Sequence, residues 1–338
     1  MRKEPIFFER NRVGRVYTGG KLFADFFGDE AEDGFLPEEW IASAVKALNK
    51  KPINEKEGVS KIKGSDLYFD DLLEQYPLEM LGSSRKMRIL VKILDSAVRL
   101  PAQAHPDKAF SRVHFHSEYG KTESWIILDT RPNAKIYFGF RDGVNKDTFM
   151  SAIDESETDK DAMERLMEYT EPQVRDIYLV PAKTVHAIGA GCLILEVQEP
   201  TDFTIQPEHW CDKYKLNEQE MYIGLSKETA VDCFHFEKAP DTRLTPVVIL
   251  DTDGVKVERV ISERDTDCFI INRITVNGGE HVLSVDDSYG VYIVTNGDGE
   301  LAGEDYTRPI KKGDYFFMPA CLMGQFSVSG NMEIVECY

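Results

Sequence analysis

Apolar positions change their period along this chain, and those changes outline its parts. Ile6-Phe7-Phe8 and Val13 with Val16-Tyr17 form two short apolar groups ahead of Thr18-Gly19-Gly20-Lys21-Leu22, where the glycine pair points to a tight turn or a close backbone contact. Over 67–82, Leu72, Leu73, Tyr76, Leu78 and Leu81 fall at helical spacing, and Pro77 divides the stretch into two short pieces. Ile89 to His105 reads as a buried strand, a turn and a second strand. Trp125-Ile126-Ile127-Leu128 and Ala134-Lys135-Ile136-Tyr137-Phe138 flank Asp129-Thr130-Arg131-Pro132-Asn133, the pattern of a hairpin. Between 146 and 170, Phe149, Ile153, Ala162, Leu166 and Met167 sit among acids, which predicts two short helices. Strand-like sequence returns at Asp176 to Val180 and Cys192 to Val197. The polar stretch 210–235 reads as a connector with short helices.

Beyond Pro246 the pattern is nearly all β. Phe269-Ile270-Ile271, Tyr289 to Val294 and Tyr315 to Met318 are short apolar or alternating runs, and Asp298-Gly299 within Asn296-Gly297-Asp298-Gly299 is a hairpin signal. Many short strands with regular turns predict a barrel or sandwich. Arg175-Asp176-Ile177-Tyr178-Leu179-Val180-Pro181-Ala182 parallels Lys312-Gly313-Asp314-Tyr315-Phe316-Phe317-Met318-Pro319-Ala320. An internal barrel duplication would produce that echo, and so would a chance match of one turn and strand. The expectation is a mainly β chain with an N-terminal domain at 1–240, carrying helical segments near 67–82, 146–170 and 210–235, and a C-terminal domain at 241–338.

Composition adds exclusions. The 59 acids against 40 bases leave a formal charge of −19, a field that repels nucleic acid and anionic membranes. No run approaches the roughly 18 apolar residues of a membrane span, and the charged start Met1-Arg2-Lys3-Glu4-Pro5 lacks a signal-peptide apolar region. The six scattered cysteines form no C-x-x-C pair, so reduced thiols and a cytoplasmic location are expected.

The candidate chemistry lies in three pieces. Gln103 and His105, spaced by two, share a strand face. Glu123 follows Gly120-Lys121-Thr122, and His186 lies in Pro181-Ala182-Lys183-Thr184-Val185-His186. Two imidazoles, a carboxylate and an amide oxygen suit Zn²⁺, with Mn²⁺ or Fe²⁺ as alternatives, and such a mixed set leaves a coordination position open. A lone buried histidine is more often a hydrogen-bonded core residue, and it is the spaced combination that favours the metal. His114-Phe115-His116 is a competing H-x-H in polar, loop-like sequence, read as surface or site rim. Lys92 lies in an otherwise apolar strand and needs a partner for its charge.

These pieces resemble type I mannose-6-phosphate isomerases, which are bicupin metalloenzymes. The resemblance rests on Leu90-Val91-Lys92-Ile93-Leu94-Asp95, Gln103-x-His105-Pro106-Asp107, Gly120-Lys121-Thr122-Glu123-x-Trp125 and Pro181-Ala182-x-Thr184-Val185-His186-Ala187-Ile188-Gly189-x-Gly191, and it covers nearly the whole length. It implies two cupin barrels (jelly rolls), the C-terminal one metal-free. It also implies one zinc per chain on Gln103, His105, Glu123 and His186, and an active site lined by Lys92, Lys121 and Glu196. The implied reaction interconverts mannose 6-phosphate and fructose 6-phosphate, with Glu196 and Lys121 as candidate proton-transfer groups. Two departures stand out. Pro101 occupies a position that is usually Ser, and Gln206 occupies one that is usually Arg, so a permanent charge for the anionic end is missing there. Arg112, His114 and His116 are the candidate replacements. A related or unphosphorylated sugar, or a non-catalytic sugar-binding cupin, are the alternatives, and the oligomeric state is left open.

Overall fold

The computed structural model describes residues 4–239 and 242–338, so the expected domain boundary at 240/241 falls outside the described residues. Most of the chain forms two antiparallel sheets. One runs, in spatial order, Arg243–Leu244, Ile177–Val180, Glu123–Thr130, Cys192–Gln198, Leu90–Asp95, Glu38–Ile41 and Arg12–Val13. The other runs Ile6–Phe7, Tyr315–Met318, Gly290–Gly303, Ser327–Cys337, Ile271–Val282, Val255–Ile261 and Val247–Thr252, with Tyr306–Lys311 also paired to Gly290–Gly303. Each sheet takes a two-residue strand from the other end of the chain: Ile6–Phe7 pairs with Tyr315–Met318, and Arg243–Leu244 pairs with Ile177–Val180.

The central strands of the first sheet are apolar on both faces because both faces are covered. Ile41, Val91, Ile93, Leu195 and Val197 share a core with Val291, Ile293, Phe317 and Val335 of the second sheet. On the opposite face, Leu94, Trp125, Ile127 and Ile194 pack with Ile136, Tyr137, Phe140 and Phe149. Those last residues come from a small sheet (Met167–Thr170, Ile136–Phe140, His186–Ile188) and from the helix Lys146–Glu155, which opens with an Asn145/Thr148 capping box. Among the described residues no helix is long and apolar enough to cross a membrane.

The helices Phe69–Gln75 and Pro77–Leu81 divide at Pro77 as the sequence predicts. Three local expectations are corrected. The second helix of 146–170 is a single 3₁₀ turn, Glu164–Leu166, running straight into a strand, because Met167 is buried within the small sheet. The 210–235 connector holds a two-strand ribbon, Trp210–Cys211 with Tyr214–Lys215, before its helices Glu218–Tyr222 and Lys227–Val231. The expected hairpin of Ser124–Phe138 does not pair with itself. Glu123–Thr130 lies between Ile177–Val180 and Cys192–Gln198, while Ile136–Phe140 joins the small sheet.

A fourth correction concerns Asp298-Gly299, which lies inside the strand Gly290–Gly303 rather than at a turn; the reversal comes at Glu304-Asp305. The glycines serve close backbone approach instead. A Cβ on Gly297 would sit 2.0 Å from the Asn331 carbonyl oxygen, and one on Gly299 2.1 Å from that of Ser329. The echoed segments do share a local form, since Ile177–Val180 and Tyr315–Met318 are both strands that end at Pro-Ala.

Gly19 makes the tightest such contact among the described glycines. A Cβ there would lie 1.7 Å from the Asp95 carbonyl oxygen, and the Gly19 N–H and C=O both bond Gly34 at 2.9 Å, which blocks any retreat. Asp95 is itself fixed, accepting the Gly20 and Leu22 N–H groups and the Arg131 guanidinium. Gly19→Ala is expected to cost about 3 kcal/mol or more, the upper end for overpacking. The check is a chemical denaturation midpoint, lowered at unchanged slope. A midpoint equal to the parent would show that the loop yields.

Candidate metal centre and its cavity

Strand register lines up the charged chemistry. Trp40, Lys92, Glu196, Trp125 and Tyr178 stand directly opposite one another on neighbouring strands. Opposed residues share a face, so the row projects away from the second sheet. Glu38 and Glu123, each two residues from a row member, share that face. His186 begins the facing strand His186–Ile188. Gln103 is locked to it by reciprocal backbone hydrogen bonds of 2.9 Å, and the Lys183 N–H donates to the His105 carbonyl at 2.7 Å.

His105, Glu123 and His186 therefore meet, fully buried, with candidate ligand atoms all within 4.8 Å of one another. His105 Nε2 lies 3.1 Å from Glu123 Oε2, and His186 Nε2 lies 3.4 Å from Glu123 Oε1. Each imidazole has its Nδ1 2.9 Å from a carbonyl oxygen, that of Phe203 for His105 and of Thr184 for His186. A carbonyl can only accept, so Nδ1 carries the hydrogen and Nε2 presents a lone pair to the carboxylate. Burial, and then the Lys121 charge, pushes the His105 imidazolium down to about 3, and burial likewise lowers His186, so both rings are neutral. Burial alone would raise the Glu123 carboxyl, but the Lys121 charge holds it well below the usual range.

Lone pairs facing an ionised carboxylate in a dry site require a cation. Lys121 supplies part of it, with Nζ 2.9 Å from His105 Nε2 and 3.3 Å from Glu123 Oε2. His186 Nε2 and Glu123 Oε2 still have no hydrogen-bond partner. Two neutral imidazoles with outward-fixed tautomers and an orphaned carboxylate oxygen could hold a divalent metal ion. The Trp125 indole donates to Glu123 Oε1 at 3.0 Å and fixes the carboxylate plane.

Beside this group a cavity of about 520 Å³ is lined by Gln103, Lys121, Lys92, Glu196 and Gln206, all singled out from sequence, and by Pro101. Lys92 Nζ is 3.3 Å from Glu196, 3.8 Å from Glu38 and 4.0 Å from Asp202, and lies over the Trp40 ring. Burial disfavours its charge, yet Glu38 and then Glu196 raise it, so Lys92 is a fixed cation. Glu196 moves the opposite way. Burial, then the charge on Glu123, pushes its carboxyl up to about 7.

Sequence reasoning passed over Arg15, Glu38 and Asp202. Arg15 donates to Glu38 at 2.9 Å and clasps Asp202 at 2.9 and 3.2 Å. Their signal was a charge beside apolar sequence, the one that marked Lys92, but the partners lie far apart along the chain. The proposed replacements fare differently. Arg112 is exposed on the helix Lys108–His114, pairs with Glu118 and does not line the cavity. His114 ends that helix rather than lying in a loop, and His114 and His116 are exposed; between them Phe115 does line the cavity. Gln206 turns its amide to the Glu220 carbonyl at 3.0 Å. Among the described residues no disulfide joins the six cysteines, five of which are buried.

Residues 263–338 match the family model described as mannose-6-phosphate isomerase, cupin domain. The chain is 28% identical to the putative mannose-6-phosphate isomerase YvyI of Bacillus subtilis and 26% identical to the mannose-6-phosphate isomerase ManA of the same organism, covering 99% of this chain and of each relative. The crystal structure of the mannose 6-phosphate isomerase from Bacillus subtilis superposes with a TM-score of 0.80 at 25% identity, over 99% of both chains. With the buried His-Glu-His group set beside a charged cavity, these likenesses set the chain alongside the mannose-6-phosphate isomerases, to which it is similar over nearly its whole length.

Proposed function

We propose that the protein is a metal-dependent aldose–ketose isomerase that interconverts mannose 6-phosphate and fructose 6-phosphate. The observation that carries this reading is the buried His105–Glu123–His186 group, joined through Lys121 to a cavity lined by Glu196, a carboxyl poised near neutrality. The metal residues would be His105, Glu123 and His186, with Gln103, which lines the cavity and is tied to His186, as the fourth. Zinc fits the donor set best, with Mn²⁺ or Fe²⁺ as alternatives. A bound divalent ion would supply Lewis-acid polarisation of the sugar's C1 and C2 oxygens.

The chain's own residues would handle the proton. Glu196 takes it from one of the adjacent carbons and returns it to the other, a role suited to a carboxyl that burial lifts to about 7. Lys92 orients that carboxylate and remains charged, and so acts by positioning. Lys121 is placed to hold a proton beside the sugar oxygens, since it lines the cavity and touches the metal group at once. Two domains in a bicupin arrangement, 1–240 and 241–338, complete the reading, supported by the cupin match at 263–338.

The test is a coupled assay on zinc-loaded protein with mannose 6-phosphate. Turnover well above a His105→Ala control is expected, with solvent deuterium entering the fructose 6-phosphate product at C1. Saturable binding with no exchange would replace this reading with a non-catalytic sugar-binding protein. Free mannose turning over as well as its phosphate would replace the substrate.

A further inference from the structure

A phosphorylated substrate needs a cation that is not already neutralised. The cavity is lined by four: Arg15, Lys50, Lys92 and Lys121. Three are committed to carboxylates. Arg15 clasps Asp202 and Glu38, Lys92 faces Glu196, Glu38 and Asp202, and Lys121 is paired with Glu123. A phosphate on any of these would displace a buried carboxylate and leave it unpaired, a severe penalty. Lys50 differs. It is exposed at the cavity edge, and among the described residues none bonds or pairs with it.

Its backbone, by contrast, is fastened. The Ala47 N–H donates to the Glu57 carbonyl at 2.9 Å, and the Leu48 N–H donates to Asp202 at 2.8 Å. The Asn49 side chain accepts from Arg15 at 3.2 Å and donates to the Gly14 carbonyl at 2.9 Å. Consecutive tethers on 47, 48 and 49 fix the backbone from which the Lys50 side chain extends at the cavity edge. The one other carboxylate at that edge, Glu220, is occupied by the Asn217 N–H and the Tyr214 hydroxyl.

We propose that Lys50 is the phosphate-binding residue of this site, and that Asp202 and Asn49 position it by holding segment 47–49 against Arg15. The inference rests on the reading above that the substrate is a sugar phosphate. It assigns the charge that Gln206 cannot provide to a different wall of the cavity.

Calorimetric binding of mannose 6-phosphate and of free mannose to the zinc-loaded protein tests it without requiring turnover. Lys50→Met is expected to weaken mannose 6-phosphate binding about 10- to 100-fold, the worth of hydrogen bonds to a charged group, and to leave free mannose unchanged. KM is expected to rise by a like factor with kcat within about threefold, since the lost contact is remote from the reacting carbons. Lys50→Arg restores binding, and Lys51→Met, one residue beyond the cavity edge, changes nothing. Equal affinity in Lys50→Met and the parent overturns the proposal, as does an equal loss in Lys51→Met. A parent that binds mannose 6-phosphate through Lys50 but never turns it over sinks the isomerase reading and keeps this one; a parent that does not bind it sinks both.

Discussion

Glu123→Gln is expected to strip the protein of its metal and of activity above background. The substitution keeps the shape of the side chain and removes the one negative charge between two neutral imidazoles. Changes to mere outer partners of metal ligands already cost about 10–100-fold in affinity, so losing the anionic ligand is expected to exceed that. It also leaves the Lys121 ammonium buried without its carboxylate, and breaking a buried pair from one side costs about 3–5 kcal/mol. Two measurements separate these effects. Elemental analysis after dialysis reads metal per chain, expected near one for the parent and near zero for the variant. Melting with and without a chelator reads the coupling of metal to folding: the parent is expected to melt lower when chelated, while the variant melts low either way. A Glu123→Gln protein that retained metal at the parent level would show that His105, Glu123 and His186 are not the metal ligands.

The His105, Glu123 and His186 cluster was legible in the sequence because each member sits beside a conformational marker. His105 precedes Pro106, Glu123 opens a strand after Gly120, and His186 follows the Pro181-Ala182 turn. What surrounds it was not legible, for reasons of distance along the chain. Arg15 meets a carboxylate 187 residues away in Asp202, and only sheet order brings them together. The failed hairpin at 129–133 has the same origin. Local pattern correctly identified two strands and a turn, but it cannot say that Cys192–Gln198 and Ile177–Val180 claim both edges of the first. Asp298-Gly299 failed differently, since a glycine that allows a close crossing of Ser327–Cys337 is spelled like one that allows a turn.

Glu196→Gln carries the second large effect, and it separates chemistry from metal binding. The amide fills the same space but cannot take a proton. Loss of a positioned general base typically costs about 10²–10⁴-fold, and kcat is expected to fall in that range with metal content unchanged. The fold should tolerate the change, because Lys92 keeps Glu38 and Asp202 as partners. The parent's pH profile identifies the group. Burial first, then the Glu123 charge, lifts the Glu196 carboxyl to about 7. A base works only when ionised, so kcat/KM is expected to be half-maximal near pH 7, to fall about tenfold per unit below it, and to level off above. Lys92 favours the ionised form, so Lys92→Met is expected to move that limb to higher pH, a shift that a purely structural role for Lys92 would not cause. A Glu196→Gln enzyme within a few fold of the parent in kcat would transfer the base role to Lys121, whose substitution by Met would then abolish deuterium entry at C1 of the fructose 6-phosphate product while Glu196→Gln leaves it intact.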